Sequence, residues 1–181
     1  MSENDNQLGN SAVVALYDTH ELADHAVKEL QEAGFDMSKL SIVGKGYHTE
    51  EQPIGYYTTE KKMRVWGGIG ATWGAIWGGF WGLLVGAGFF IIPGLGPILA
   101  AGPLVAMLVG ALEGGVAVGG ISALGAVLVN IGVPKNSVVQ YETALKVDKF
   151  VLIVHGSPDE VQRAKTLIDQ ANATHSAIYS A

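Results

Sequence analysis

The 181-residue chain contains no cysteine. This absence excludes disulfide bonds, thiol catalysis and cysteine-ligated metals. Basic residues are also few, since 11 Lys and Arg residues stand against 17 Asp and Glu residues and give a net charge of −6. Because non-specific nucleic-acid binding requires a basic surface, we expect no nucleic-acid partner. The polar, acidic start of the chain lacks the basic and apolar regions of a secretory signal, and we expect residues 1–11 to form a disordered tail.

Charge is almost absent from the middle of the chain, where Glu113 is the only charged residue between positions 65 and 134. A helix that crosses a bilayer needs about 20 predominantly apolar residues, so this segment is long enough for two crossings. The run is broken by four residues that disfavour helix and predict a turn over 93–97, namely Pro93, Gly94, Gly96 and Pro97. The sequence therefore predicts a hydrophobic helical hairpin with helices over 65–92 and 98–132.

Small residues recur at every fourth position along both predicted helices. In water a glycine in the middle of a helix costs about 1 kcal/mol relative to alanine. In lipid the same residue lets two helix backbones approach closely. The pattern favours a glycine zipper, either within the hairpin or between copies of the chain, and the positions predicted to mediate oligomerisation are Gly70, Gly74, Gly78, Gly82, Gly86, Gly110 and Gly114.

The first predicted helix also carries a row of aromatic residues, made up of Trp66, Trp73, Trp77 and Trp81. Trp66 follows Lys61, Lys62 and Arg64, a combination typical of the membrane interface. The other three lie too deep for that interface, and two interpretations stay open: packing, or lining a cavity that binds a ligand or ion. Glu113 is the one ionisable group at depth, which makes it a candidate polar site in the membrane or the mark of a local break.

The charged flanks of the apolar segment each show a β-α-β pattern. In the first half, 12–44, a helix with an apolar face stands between two apolar strands, and Asp18 with Glu21 predicts a capping box. A polar connector follows over 45–64. The second half, 135–181, begins with one more helix and then repeats the β-α-β pattern.

Helix caps in the second half are predicted from short polar stretches. Asn136 or Ser137 is expected to cap the first of its helices. Ser157, followed by Pro158 and then Glu160, predicts a capping box before the second. The whole chain is thus predicted to be α+β, a split ferredoxin-like domain with helices on one face of a four-stranded sheet, interrupted by the hairpin.

Two halves of one domain must lie on the same side of any membrane that the hairpin crosses. An even number of crossings satisfies this requirement, and the segment length allows two. Basic residues at the base of the hairpin, including Lys135, place the domain on the cytoplasmic side. We therefore expect the protein in the bacterial cytoplasmic membrane, in contact with membrane lipid, with both termini in the cytoplasm.

No motif for catalysis or for metal binding is recognisable. The histidines have no metal-ligand spacing and are expected to be solvated, although two of them, at a strand end and a strand start, are candidates for neighbours; the five are His20, His25, His48, His155 and His175. The glycine-flanked lysine at Gly44–Gly46 lacks the spacing of a phosphate-binding loop and reads as a turn. We expect no cofactor, no metal and no enzymatic activity.

Three stretches of the chain resemble a bacterial general stress protein family, also described as heat-induced stress proteins. They are VVALYDTHELADHAVKELQEAGFDMSKLSIVGKG, then IPGLGPILAAGPL, then GVPKNSVVQYETALKVDKFVLIVHG. The resemblance covers most of the chain after the first ten residues and rests on hydrophobic pattern, glycines and prolines. It implies a stress-linked, non-enzymatic role and carries no catalytic residues. The four tryptophans depart from the small residues usual in such hairpins.

These observations predict a non-enzymatic membrane protein that forms homo-oligomers through its hairpins, with a cytoplasmic domain for assembly or for an unknown protein or small-molecule partner. A channel or transport component is the first alternative, on the strength of Glu113 and the tryptophan row. A ligand sensor follows from fold analogy alone. A scaffold that shapes a membrane or forms a closed particle is the third alternative.

Overall fold

The computed structural model describes residues 11–45, 87–92, 95–114 and 122–181, with 87–89 described by their backbone alone. The strands are β1 (Ser11–Tyr17), β2 (Leu40–Lys45), β3 (Ala87–Ile92), β4 (Gly96–Ala101), β5 (Phe150–Gly156) and β6 (His175–Ser180). The helices are α1 (His20–Glu32), α2 (Leu104–Glu113), α3 (Ala123–Asn130), α4 (Lys135–Lys146) and α5 (Pro158–Gln170), with a 3-10 turn at Met37–Lys39.

All six strands form one antiparallel sheet in the order β3-β4-β2-β5-β1-β6. The two β-α-β halves interleave, since β5 of the second half lies between β2 and β1 of the first. Strand β5 of the second half thus has strands of the first half on both sides, and β1 of the first half has strands of the second half on both sides. Neither half would bury its apolar face alone. The predicted α+β class is confirmed.

Helices cover both faces of the sheet, so the prediction of helices on one face is wrong. On one face α1 and α5 pack on residues of β1 and β5 such as Val13 and Leu152. On the opposite face α2, α3 and α4 pack on the alternate residues, such as Val14 and Ile153. Side chains of a strand alternate between faces, so strands that are apolar at every position are the ones that become buried on both.

The helix starts agree in part with the predicted caps. Ser157 and Glu160 form the predicted capping box of α5, with Pro158 in the first turn. The cap of α1 is Thr19, whose hydroxyl accepts from the Leu22 amide, rather than Asp18. Asp18 instead pairs with Lys149 at 2.6 Å, an interaction between the two halves that the local sequence does not show. The cap residue of α4 is Pro134, with no side-chain cap, rather than Asn136 or Ser137.

Within the predicted helical hairpin, residues 87–92 and 96–101 are two strands, so the helix prediction is wrong for them. The chain does reverse in the predicted place. The Leu95 amide donates to the Ile92 carbonyl at 3.0 Å, and Gly96 has a φ of +82°. The left-handed glycine therefore follows this turn directly, and hairpin connections commonly include a residue of that conformation. Gly96 and Pro97 thus begin β4, while Pro93 and Gly94 lie outside the described residues.

The remaining apolar helices are short, since α2 has 10 residues and α3 has 8. In the described part of the chain no helix has the length and apolarity needed to cross a bilayer. The predicted transmembrane helix and the predicted location in the bacterial cytoplasmic membrane are therefore wrong on this finding. Two predicted sets of residues lie outside the described ranges: the glycine row Gly70, Gly74, Gly78, Gly82 and Gly86, and the aromatic row Trp66, Trp73, Trp77 and Trp81.

Candidate functional site

The insertion between the two β-α-β halves carries an exposed apolar surface. Ile91 in β3 is 72% exposed, and Val109 and Leu112 in α2 are 39% and 38% exposed. Large apolar side chains on a folded domain are usually covered, and contiguous exposed ones mark interaction sites. We call the set Ile91, Ala106, Val109, Gly110 and Leu112 the insertion surface, because all five are exposed in β3 and α2. Ile91 points to the sheet face opposite α2, because its neighbours Phe90 and Ile92 pack in the core layer beneath α2.

Helix α2 is held to the sheet along one side only. Its Leu104 and Leu108 are fully buried. Its first amide, that of Leu104, donates at 3.1 Å to the hydroxyl of Ser41 in β2, which supplies the cap that Pro103 cannot. Because α2 is apolar nearly all round, burying one side leaves the opposite side as apolar surface exposed to solvent.

Two of the predicted oligomerisation residues, Gly110 and Gly114, lie on or next to this surface. Both are exposed. A Cβ added at Gly110 would have no atom of the described residues within 4 Å, so nothing in that part of the chain requires a glycine there. Glu113, the predicted polar site in a membrane, is exposed in the last turn of α2.

A second feature is a buried carboxyl group on α1 that the sequence did not single out. Both carboxylate oxygens of Asp24 are inaccessible, and neither has a hydrogen-bond partner in the described structure. Burial, with a smaller contribution from the charge of Glu21, raises the pKa of Asp24 to about 7. The His20 Nδ1 atom lies 3.3 Å from Asp24, and the His20 ring meets Phe150 edge to face at 5.5 Å.

The surroundings of this pair are partly apolar and partly charged. The Phe150 ring contacts His20, and the charge of Glu21 acts on Asp24. Among the described residues, no third His, Asp or Glu joins the pair in a group able to hold a metal ion. The sequence signal for the pair is the i, i+4 spacing of His20 and Asp24 on a helix.

His155 is the second buried titratable group, and the expectation of a solvated histidine is wrong for it. It is 3% exposed, and its Nε2 atom has no hydrogen-bond partner among the described residues. Burial lowers its pKa from the ordinary value of 6.5, so the folded chain holds it neutral. It is not a neighbour of His175, because the two pair with Ala12 and Leu16, four residues apart on β1. His48 lies outside the described ranges.

Two buried tyrosines have structural partners. The Tyr17 hydroxyl donates to the Ile168 carbonyl at 3.2 Å, joining β1 to α5. The hydroxyls of Tyr141 and Tyr179 are 2.9 Å apart and join α4 to β6. Burial is the main cause that raises the pKa of both Tyr17 and Tyr141, so they stay neutral donors. Within the described ranges there is no cluster of three His, Asp or Glu residues able to hold a metal ion.

Comparison with known proteins supplies no relative from which a function follows. No protein family matches the chain, and no curated protein or solved structure is significantly similar to it. The resemblance to general stress proteins stays a prediction. The features that remain to be interpreted are those of the chain itself, among them the insertion surface.

Proposed function

We propose that this chain is a non-enzymatic protein that forms homo-oligomers through the insertion surface, while the domain built from the two β-α-β halves serves assembly or partner binding. The observation that carries the proposal is the concentration of exposed apolar residues on β3 and α2. It replaces the predicted membrane hairpin as the basis for self-assembly.

The distribution of charge supports a second copy of the chain as the partner. Each chain has a net charge of −6, so two copies repel unless they meet where acidic side chains are absent. From Ala87 to Leu112 the sequence has no charged residue. Glu113, exposed in the last turn of α2, is the one carboxylate in the described part of the insertion, so two acidic chains that meet there bring few acidic side chains together.

Gly110 supports close packing on this surface. The residue is exposed and has free space above it, and a glycine without a local conformational need costs helix stability. A partner helix that packs against Gly110 would come nearer to the backbone than a larger side chain allows. This retains the predicted role of Gly110 and Gly114 as oligomerisation residues without any lipid.

A finer description of the domain is part of the proposal. The strands β2-β5-β1-β6, with α1 and α5 on one face, have the order and helix placement of a ferredoxin-like unit. The insertion then adds β4 and β3 beyond β2, and α2 and α3 cover the second face. The stress-linked role implied by the family resemblance, and assembly into a closed particle, stay open within the same proposal.

The test is the mass of the full-length chain in solution, with Val109→Lys as the variant. Val109 lies on the insertion surface, so a lysine there should raise the dissociation constant of the assembly at least tenfold while the helical content stays unchanged. Val139→Lys is the matched control, because Val139 is 62% exposed on α4, away from the insertion. Equal assembly of both variants would place the interface elsewhere, and a monomeric parent chain would overturn the proposal.

A further inference from the structure

We infer that two copies of this chain join edge to edge through β3, in an antiparallel and two-fold symmetric pairing that merges their six-stranded sheets. The inference rests on the proposed self-assembly and specifies its interface. Within the described residues β3 pairs only with β4, so it forms one edge of the sheet.

Pro97 determines which main-chain groups of β3 face outwards. It lies opposite Ile91, and it has no N–H to donate. The pair Ile91–Pro97 is therefore a non-hydrogen-bonded one, which agrees with the turn closed by Ile92 and Gly96. Hydrogen-bonded and non-hydrogen-bonded pairs alternate along an antiparallel ladder. The N–H and C=O groups of Ala87, Phe89 and Ile91 consequently point away from β4.

These outward groups have the spacing that a two-fold axis requires. With the axis at Phe89, that residue pairs with its own copy, and Ile91 pairs with residue 87 of the other chain. Each chain then donates as many main-chain hydrogen bonds as it accepts. The three hydrogen-bonded residue pairs give about six bonds in total. Such a contact is closed, so it produces a dimer and no fibre.

β3 lacks the sequence features that prevent natural edge strands from pairing with other chains. Edge strands are usually protected by charged side chains, proline or a bulge. The β3 sequence, AGFFII, has no charge and no proline. The opposite edge strand, β6, reads HSAIYS and joins α5 through side chains: the Lys165 amine donates to the Ser176 hydroxyl at 2.9 Å, and that hydroxyl donates to the Asp169 carboxylate. β3 is therefore the more apolar of the two edge strands.

The helix layer extends the interface beyond the strand. On the face covered by three helices, α4 lies against β5 and β2, α3 against α4, and α2 against α3 and β4. This order makes α2 the outermost helix on the β3 side. An antiparallel pairing within one sheet has its two-fold axis perpendicular to the sheet, so the two copies of α2 face each other on the same side.

The area that a stable interface needs indicates that the partner is a second copy of the chain. A stable interface buries about 800 Å² per partner, more than a six-residue strand edge supplies. The exposed side of α2, with Val109, Gly110 and Leu112, adds the missing apolar area only if the partner presents a matching helix. A lone extended peptide on β3 would leave that side of α2 in solvent. The paired strand itself, Ala87–Ile92, is uncharged, and Glu113 at the end of α2 is the one carboxylate that the described part of the insertion carries.

The experiment compares the full-length chain with Ile91→Lys and with Val139→Lys. Ile91 is 72% exposed, so lysine is tolerated in the single chain, but at a paired edge it disrupts the dimer. We expect Ile91→Lys to raise the dimer dissociation constant at least tenfold by analytical ultracentrifugation, and Val139→Lys to leave it unchanged. Residue-resolved amide exchange on the parent chain provides a second readout that does not depend on folding of the variant.

In that readout the amides of residues 87, 89 and 91 exchange at least about tenfold more slowly at high than at low protein concentration. An oligomer that Ile91→Lys leaves intact, with no concentration-dependent protection of these amides, would overturn the β3 pairing while the proposed self-assembly stands. A parent chain that stays monomeric overturns both. If Ile91→Lys fails to fold, the exchange result decides alone.

Discussion

Two glycines, one just before α2 and one within it, differ in whether the local structure requires a glycine. Gly102, between β4 and α2, has a φ of +93°, and a Cβ there would overlap the Leu40 carbonyl oxygen. Gly110 has an ordinary helical conformation and open space above it. The first glycine is required by the close approach of two backbone segments. The second is required by no contact with the described residues, which is why we assign it to an intermolecular contact.

Alanine substitution should separate these two roles. Gly102→Ala should lower the free energy of unfolding by about 2 to 4 kcal/mol, through backbone strain and overlap with β2. Gly110→Ala should raise it by about 0.5 to 1 kcal/mol, because alanine is the better helix former. Denaturant unfolding at one low protein concentration measures both. Destabilisation by Gly110→Ala would mean that an intrachain contact has been missed.

The carboxyl of Asp24 makes stability depend on pH in a known direction. Its pKa is raised to about 7 in the folded state from 3.8, mainly by burial. Between these values the folded chain binds a proton that the unfolded chain has released, so stability falls as the pH rises from about 4 to 7. The pKa of His155 is lowered from 6.5, so this residue has the opposite effect. Through it the folded chain loses stability as the pH falls below 6.5.

Asp24→Ala should therefore be more stable than the parent chain at pH 8, and this gain should shrink steadily towards pH 4. Thermal unfolding of both chains over this range measures the difference. Glu32→Ala is the control, because Glu32 is exposed on the same helix and its substitution should give a small offset without that pH dependence. A gain from Asp24→Ala that is equal at pH 4 and pH 8 would contradict the burial of a charged carboxylate.

At the scale of elements, the contact between β2 and α2 connects the insertion to the rest of the sheet. Ser41 is fully buried and accepts the Leu104 amide at 3.1 Å. Ser41→Ala leaves that amide buried and unpaired, which should cost about 1 to 3 kcal/mol. Ser38→Ala, in the exposed 3-10 turn nearby, should change stability by less than about 0.5 kcal/mol.

Amide exchange at Leu104 gives this prediction a local readout. In Ser41→Ala the start of α2 should exchange faster than in the parent chain, while α1 and α5 on the opposite face keep their protection. Unchanged exchange at Leu104 would show that another group caps the helix.

Elements with a clear pattern could be predicted from the sequence, and those without one could not. Helix α5 was predicted with its cap, because Ser157, Pro158 and Glu160 form a local signal and its apolar residues repeat at helical spacing. β3 reads AGFFII, in which every residue is apolar or glycine. Such a run fits a buried helix and a buried strand equally well, and the pairing of β4 with the distant β2 decides between them.

The turn at Ile92–Gly96 also shows what the sequence alone leaves undecided. Proline and glycine marked the reversal correctly, yet the same residues connect two helices or two strands. The candidate surface was predictable only at Gly110, through its spacing. The exposure of Ile91 depends on its place at a sheet edge, and α1, which carries Asp24, packs on β5 of the second half, so both environments involve distant parts of the chain.

At the scale of the whole molecule, three ion pairs connect the two halves across the insertion. Lys39 pairs with Glu160 at 3.3 Å, Lys149 with Asp18 at 2.6 Å, and Lys45 with Asp148 at 3.6 Å. Each is partly exposed and contributes at most about 1 kcal/mol. The interleaved strands and the two apolar core layers hold the halves together. The charged residues surround this core, and the insertion extends it beyond β2.

Self-assembly of this acidic chain through the insertion surface is the central claim, and the solution mass of the full-length parent chain tests it most directly. Light scattering coupled to size exclusion, over a wide range of loading concentrations, measures that mass. We predict at least twice the 19.0 kDa of one chain, falling towards that value on dilution. A mass of 19.0 kDa at every concentration would contradict the account.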